Sequence, residues 1–307
     1  TQRNLMAGSL GQASATPKAG RNLPVAIVVG VALLVAVAVG LIWAHWFFVL
    51  LVAVGLSLAV VEMHRALRLK GLHSSVVPIV IGTTISVIGS WVVSRFDLGS
   101  ATGFAVAAIA GTMIAAFCAH LFQGTEGFVK NKAASAFIIA YIPFLWMFLT
   151  LILGDSSGSL RFLTIILCVV ASDVGAYAVG SLLGRHKMAP VISPGKTWEG
   201  LAGGAAVVAL VALVWLWLDG HFAMDSASIY TRLRALGAWG LAAAMAFLIA
   251  ISVCGDLFES LVKRSAGVKD SSALLPGHGG VLDRIDALLP VLPVAWLLAE
   301  LAREVAA

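Results

Sequence analysis

The sequence predicts an all-α polytopic membrane protein, with about nine transmembrane helices and a cytoplasm-facing polar cavity in its C-terminal half. Three observations predict it. Of 307 residues, 60% are hydrophobic and only 11% charged, where a soluble domain carries roughly a quarter charged residues. Apolar runs of about 20 residues, the length a helix needs to cross the hydrocarbon core, recur along the chain. The remaining polar chemistry is concentrated in three segments of the second half. Lipid-exposed backbone must satisfy its own hydrogen bonds, which leaves helices or a closed barrel. A barrel would be built from short alternating segments, and none dominate here.

Residues 1–24 are polar and small, and are expected to form a flexible tail. Apolar runs follow at about 25–43, 46–62, 76–94, 99–119, 133–153, 160–181, 199–218, 236–255 and 287–304. The first two are separated by "WAHW", an interfacial aromatic cluster suited to a tight hairpin. No A-x-A-like cleavage site follows the first run, so it reads as a retained helix. Residues 25–155 hold the first five runs, and 156–307 hold the rest with the polar segments. The absence of a convincing tandem repeat gives no support to an inverted-repeat transporter. Cys118, Cys168 and Cys254 lie in or beside apolar runs and form no CxxC pair.

Nine spans sort the connections onto two sides. Fifteen of the twenty Lys and Arg residues fall on the side of the N-terminus and the loops near 62–75, 120–132, 182–198 and 256–286. The positive-inside rule makes that side cytoplasmic, with the N-terminus in. Setting aside the two chemically unusual loops leaves the bias at eight to five, with the same sign. The basic residues form no continuous run, so the net charge of +5 reads as topology and not as nucleic-acid binding.

The first polar segment is "ASDVGAYAVGSLLGRHK". Asp173 lies roughly 13 Å from the polar end of its helix, a depth at which a carboxylate needs a partner or a watery cavity. It either bonds a neighbouring helix or lines a polar site. Gly175, Ala176, Gly180 and Ser181 beside it would admit another backbone closely. The second is "SPGKTWEG", with Lys196 and Thr197 beyond an expected turn at Pro194-Gly195. The spacing is not that of a phosphate loop. It fits an anion site at a helix N-terminus as well as it fits an interfacial loop with Trp198 at the headgroups.

The third segment runs from Asp256 to Asp286. Asp256, Glu259, Ser260 and Lys263 share one helical face by i, i+3, i+4 and i+7 spacing. Lys269 and Asp270 follow, then the glycine-rich "LLPGHGG" and "DRID". Two carboxylates on different elements, interleaved with Lys and Arg, suit phosphoryl or nucleotidyl transfer. Mg²⁺ takes one or two protein carboxylates and completes its shell with phosphate and water, while cations offset charge on the phosphate. Glycine N–H groups could approach phosphates closely. His278 reads equally as a base, a phosphate contact or a structural donor. The other six histidines form no ligand pair.

"SLVKRSAGVKDSSALLPGHGGVLDRID", residues 260–286, resembles the signature of the phosphatidate cytidylyltransferase (CDP-diacylglycerol synthase) family. "SDVGAYAVG" and "SPGKTWEG" resemble that family's upstream segments in the same order, so the likeness covers about residues 165–300. It implies a multi-pass inner (plasma) membrane enzyme, with 156–307 as its catalytic region. Such an enzyme joins CTP and phosphatidic acid into CDP-diacylglycerol and pyrophosphate. The likeness also implies Mg²⁺, with a second, monovalent cation such as K⁺ in some members, and a homodimer among membrane lipid. Carried onto matching positions, Asp256 and Asp283 are expected to be metal ligands, and they are expected to be catalytic together with Lys263 and Arg264. Lys263, Arg264, Lys269 and Arg284 would hold phosphates, while Asp173, Lys196 and Thr197 face the same cavity. Ser260, Asp270, His278, Gly279, Gly280 and Asp286 complete the expected substrate site. The choice of CTP comes from the resemblance, since spacing shows only an anion-and-metal site.

Three rival readings are separable. A CDP-alcohol phosphotransferase would carry Gly where "DRIDALLP" has Ala287, and a second aspartate pair. A transporter would spread its buried acids over helices of both halves. A cytidylyltransferase for another lipid phosphate, such as an isoprenoid glycerol phosphate, shares all these features and is separated only by a substrate panel.

Overall fold

The structure, a computed structural model, describes residues 23–306 apart from 120, 122–124, 155–156, 223–228, 273 and 275–278. The expected polar tail lies outside the described residues except for Leu23 and Pro24, which open the first helix. Proline is tolerated there because the first N–H groups of a helix have no intrahelical acceptor.

The helices are α1 (Leu23–Ile42), α2 (His45–Arg68), α3 (Val76–Arg95), α4 (Ala101–Cys118), α5 (Phe128–Tyr141), α6 (Pro143–Leu153) and α7 (Gly158–Leu183). A hairpin of β1 (Lys187–Ala189) and β2 (Ser193–Thr197) follows. The chain then forms α8 (Trp198–Phe222), α9 (Ile229–Arg234), α10 (Gly237–Ala266), α11 (Leu282–Ile285) and α12 (Leu288–Ala306). Among the described residues, eight helical segments are long and apolar enough to cross a membrane, and α1 contributes a shorter apolar stretch, Val28–Ile42. Each of the nine apolar runs is matched. The fifth is two helices, because Pro143 has no N–H to continue the ladder and restarts it as α6.

Small residues set the closest approaches. The α1–α2 hairpin turns at Trp43-Ala44, where a Cβ built on Gly40 would lie 2.8 Å from Phe48 Cβ. Among the described residues, α7 and α8 share the most extensive contact of any helix pair. A Cβ on Gly175 would lie 2.7 Å from the Gly203 carbonyl oxygen, and one on Gly200 2.8 Å from that of Ala176. The small stripe on α7 therefore receives the backbone of α8, as small residues do between membrane helices. Hydroxyls inside the spans return to their own helix: Thr83 donates to Ile79 O at 2.7 Å and Thr112 to Ala108 O at 2.7 Å. Each hydroxyl is thereby satisfied without water.

The first half has its own polar knot. Lys132 is buried on α5 and donates to the Ser75 hydroxyl at 3.1 Å and to the Ala116 carbonyl. Ser75 N–H in turn donates to Ser135 Oγ at 2.9 Å. His64 bonds Ser74 at 2.7 Å, which gives this histidine a structural partner.

Two expectations change in the second half. Residues 256–266, grouped with a cytoplasmic loop on their polarity, continue α10 without a break. The helix stops at Gly267, whose φ of +81° is costly for any residue with a Cβ. Gly267 N–H then donates to Arg264 O and Val268 N–H to Lys263 O, each at 3.0 Å, closing a Schellman cap. Pro194-Gly195 is not a turn but part of β2; the turn is 190–192. The register Lys187↔Thr197 and Ala189↔Ser193 slips between the two pairs, and such an irregular edge tolerates proline's missing donor.

Candidate active site

α10 is the spine of the site, and it carries two cation–carboxylate clusters. The first is open. Asp256 pairs with Lys196 Nζ at 2.7 Å, and their side chains remain 33% and 22% exposed. Ser260, one turn on, donates to Asp256 Oδ1 at 3.3 Å.

Lys196 reaches Asp256 because its hairpin is held at both ends. Thr197 accepts from Gly200 N–H at 3.1 Å, capping α8. Glu199 accepts from the N–H groups of Arg185 at 3.1 Å and His186 at 3.2 Å, and pairs with the His186 ring. The buried Thr197 hydroxyl is thus committed to the helix cap. Asp173, exposed on α7, lies within electrostatic reach of Asp256, Lys196 and Arg284. The buried Asp286 carboxylate feels Asp256, Lys263 and Asp173. Gly255 makes that proximity possible, since a Cβ there would lie 2.7 Å from the Asp286 carbonyl oxygen.

The second cluster is closed. Lys263 sits between Glu259 on its own helix and Asp283 on α11, with 2.7 Å to Asp283 Oδ1. The side chains of Lys263, Glu259 and Asp283 are 13%, 0% and 5% exposed. Asp283 also accepts from Gly280 N–H at 2.8 Å and Ser271 N–H at 3.2 Å. Gly279, at φ +78°, leaves room for that carboxylate: a Cβ there would lie 2.5 Å from Asp283 Oδ2. Here Gly280, in the glycine-rich segment, directs its N–H at a carboxylate.

The structure therefore gathers Asp173, Lys196, Asp256, Ser260, Lys263, Asp283, Arg284 and Asp286 around one end of α10. Arg264 is exposed and donates to Ile192 O at 3.4 Å and Val268 O at 3.3 Å, joining α10 to the hairpin turn. Lys269 and Asp270 are exposed on the connection after α10. His278 lies outside the described residues.

Sequence reasoning missed two acids. Glu259 was visible on the helical face but was not assigned to the site; it is the buried partner of Lys263. Glu62 closes the second apolar run, and its sequence spacing assigns it no role. It is 98% buried on α2 and accepts four hydrogen bonds: Ser271 Oγ at 3.1 Å, Ser272 Oγ at 2.6 Å, Val281 N–H at 3.1 Å and Leu282 N–H at 2.8 Å. The available signal was a carboxylate standing within an apolar helix, which needs a partner.

An accessible set of carboxylates and cations beside a rigid, buried one can hold polyanions and offset charge growing on a phosphate. The family model for the cytidylyltransferase family matches residues 24–302. The chain belongs to the cytidylyltransferase family. Among curated proteins, the chain is 33% identical to the phosphatidate cytidylyltransferase of Mycobacterium leprae, over 93% of this chain and 90% of the relative. It is 34% identical to that of Mycobacterium bovis, over 94% and 92%. A shorter match to the Haemophilus influenzae phosphatidate cytidylyltransferase reaches 43% over 44% of each chain.

Proposed function

We propose that the protein transfers CMP from CTP to phosphatidic acid, giving CDP-diacylglycerol and pyrophosphate. A phosphate oxygen of phosphatidic acid forms a bond to the α-phosphorus of CTP as the bond from that phosphorus to the pyrophosphate oxygen breaks. The acceptor is already anionic, so a strong base is not required. The task is to bring two anions together and stabilise charge in the transition state. The observation that carries this reading is the open Lys196–Asp256 pair set against the buried Glu259–Lys263–Asp283 cluster on one helix. One cluster can exchange partners with a nucleotide, while the other fixes the geometry.

Mg²⁺ fits this donor set as a substrate-borne ion. Among the described residues, no group of three or more His, Cys, Asp or Glu is arranged to hold a metal. Mg²⁺ requires only one or two protein carboxylates when phosphate and water complete its shell. Asp256 is the open donor. Asp283 would supply a second while keeping its pair with Lys263, by giving up the longer contact from Ser271 N–H at 3.2 Å. The ion would offset charge on the phosphates. Lys196, Lys263 and Arg284 supply fixed positive charge, and Asp173 and Asp286 orient those cations. A second, monovalent cation and a homodimer belong to the same proposal, as does a place in the inner membrane with the site cytoplasmic and the N-terminus in.

Detergent-purified protein given CTP, phosphatidic acid and Mg²⁺ should release pyrophosphate, and chelation should stop it. A panel of other nucleotides and lipid phosphates, including an isoprenoid glycerol phosphate, fixes the specificity; no release with any pair sinks the enzyme reading. Leu274→Cys in a cysteine-free background should react with an impermeant thiol reagent only when the cytoplasmic face is opened. Labelling from the outside of intact cells would reverse the orientation.

A further inference from the structure

We infer that Glu62 is a positioning residue for the transfer reaction, acting from the first half of the chain on the carboxylate of Asp283. The inference rests on the proposed chemistry of the site.

Each Glu62 oxygen faces one backbone donor and one hydroxyl. Oε1 accepts from Val281 N–H and Ser272 Oγ, and Oε2 from Leu282 N–H and Ser271 Oγ. Ser271 and Gly280 link this clamp to the cluster beyond it. Ser271 gives its hydroxyl to Glu62 and its N–H to Asp283, while Gly280 gives its N–H to Asp283. The two carboxylates thus hold opposite sides of the same short segment. Space confirms how closely they share it, since a Cβ on Gly280 would lie 2.6 Å from Glu62 Oε2. Glu62 touches neither Lys263 nor Asp283 in any bond of this network. It acts through the backbone on which Asp283 is presented to Lys263.

The chemistry of the clamp makes one substitution decisive. Glutamine has the shape of glutamate, but its amide nitrogen cannot accept a hydrogen bond. Serine hydroxyls can rotate to suit either end, whereas the N–H groups of Val281 and Leu282 cannot. Whichever way the amide is turned, Glu62→Gln opposes a donor to one of them. A residue that merely fills space would tolerate this change.

The test compares wild type, Glu62→Gln, Glu62→Ala and Glu62→Asp as full-length protein in detergent. Turnover of CTP and phosphatidic acid is measured alongside hydrogen exchange of the peptides spanning 270–286, with α7–α8 peptides as internal reference. Rates are normalised to the monodisperse folded fraction. Misplacing reacting groups by about 1 Å costs on the order of 100-fold in rate. Glu62→Gln and Glu62→Ala should therefore lower kcat by about 100-fold while both KM values stay within about threefold. Exchange in 270–286 should rise about tenfold or more, with the reference peptides unchanged, since the affected amides lose local protection. Glu62→Asp, which keeps two acceptors, should recover part of kcat. The inference is overturned if Glu62→Gln keeps wild-type kcat and protection, or if activity falls only with the folded fraction. Should wild type itself show no turnover, the proposed reaction fails, and the exchange measurement alone decides whether the clamp exists.

Discussion

The two ion clusters on α10 differ in what surrounds them more than in what they contain. Each joins a lysine to an aspartate at 2.7 Å. Lys196–Asp256 connects a hairpin to a helix and stays open to solvent. Lys263–Asp283 connects two helical elements, is backed by the fully buried Glu259, and has backbone donors on its remaining side. An exposed pair contributes little to stability and can exchange partners with a ligand. In a buried cluster, losing one member leaves an uncompensated charge, which costs about 3–5 kcal/mol. The open pair is therefore suited to binding, and the closed one to holding the framework against which binding occurs.

Removing Lys263 should separate the clusters most sharply. Lys263→Ala leaves Glu259 and Asp283 buried together without their cation, so stability should fall by about 3–5 kcal/mol. Turnover should drop below detection. Thermal unfolding and the yield of monodisperse protein check the first effect, and pyrophosphate release the second; a normally stable variant would erase the distinction between the clusters. Lys196→Ala should behave oppositely. Its stability should stay within about 1 kcal/mol of wild type, while kcat/KM for the nucleotide falls about 10–100-fold, since one charge-assisted contact is lost. A large stability loss would mean that the open pair is a framework element too. The smallest effect belongs to Thr197→Ala, which removes the α8 cap and should cost about 1 kcal/mol. Its kcat should be little changed, and Thr197→Ser should restore the lost stability. A collapse of turnover with stability intact would instead place the hydroxyl on the substrate.

What was legible in the sequence follows from the range over which each feature is determined. The spans were readable because hydrophobic length is a local property, and even the broken fifth run was placed correctly before Pro143 divided it. The small stripe on α7 was readable for the same reason, although its partner α8 was not. Asp256, Glu259, Ser260 and Lys263 declared their common face through helical spacing, yet the polarity of the segment suggested a loop where α10 simply continues. Pro194-Gly195 carries the chemistry of a turn and sits in a strand, because an irregular exposed edge tolerates both residues. Glu62 is hidden by distance: its partners lie 209 to 220 positions away, and no local pattern shows that the single acidic residue of a span will meet a loop from the far end of the chain.

The length of α10 has a consequence for how the two substrates meet. At 1.5 Å per residue, its 30 residues extend about 45 Å, against a hydrocarbon core of about 30 Å. Asp256 is the twentieth residue of the helix, about 28 Å from its start. Lys263 stands about 10 Å further on. With Gly237 set at one edge of the hydrocarbon core, the open pair would lie near the level where acyl chains give way to headgroups, and the closed cluster just beyond it. A lipid phosphate would reach the site while its tails stay in the bilayer, and a triphosphate would arrive without leaving water. The helix would thus work as a depth gauge for the proposed reaction, setting it at the height where both reactants reside.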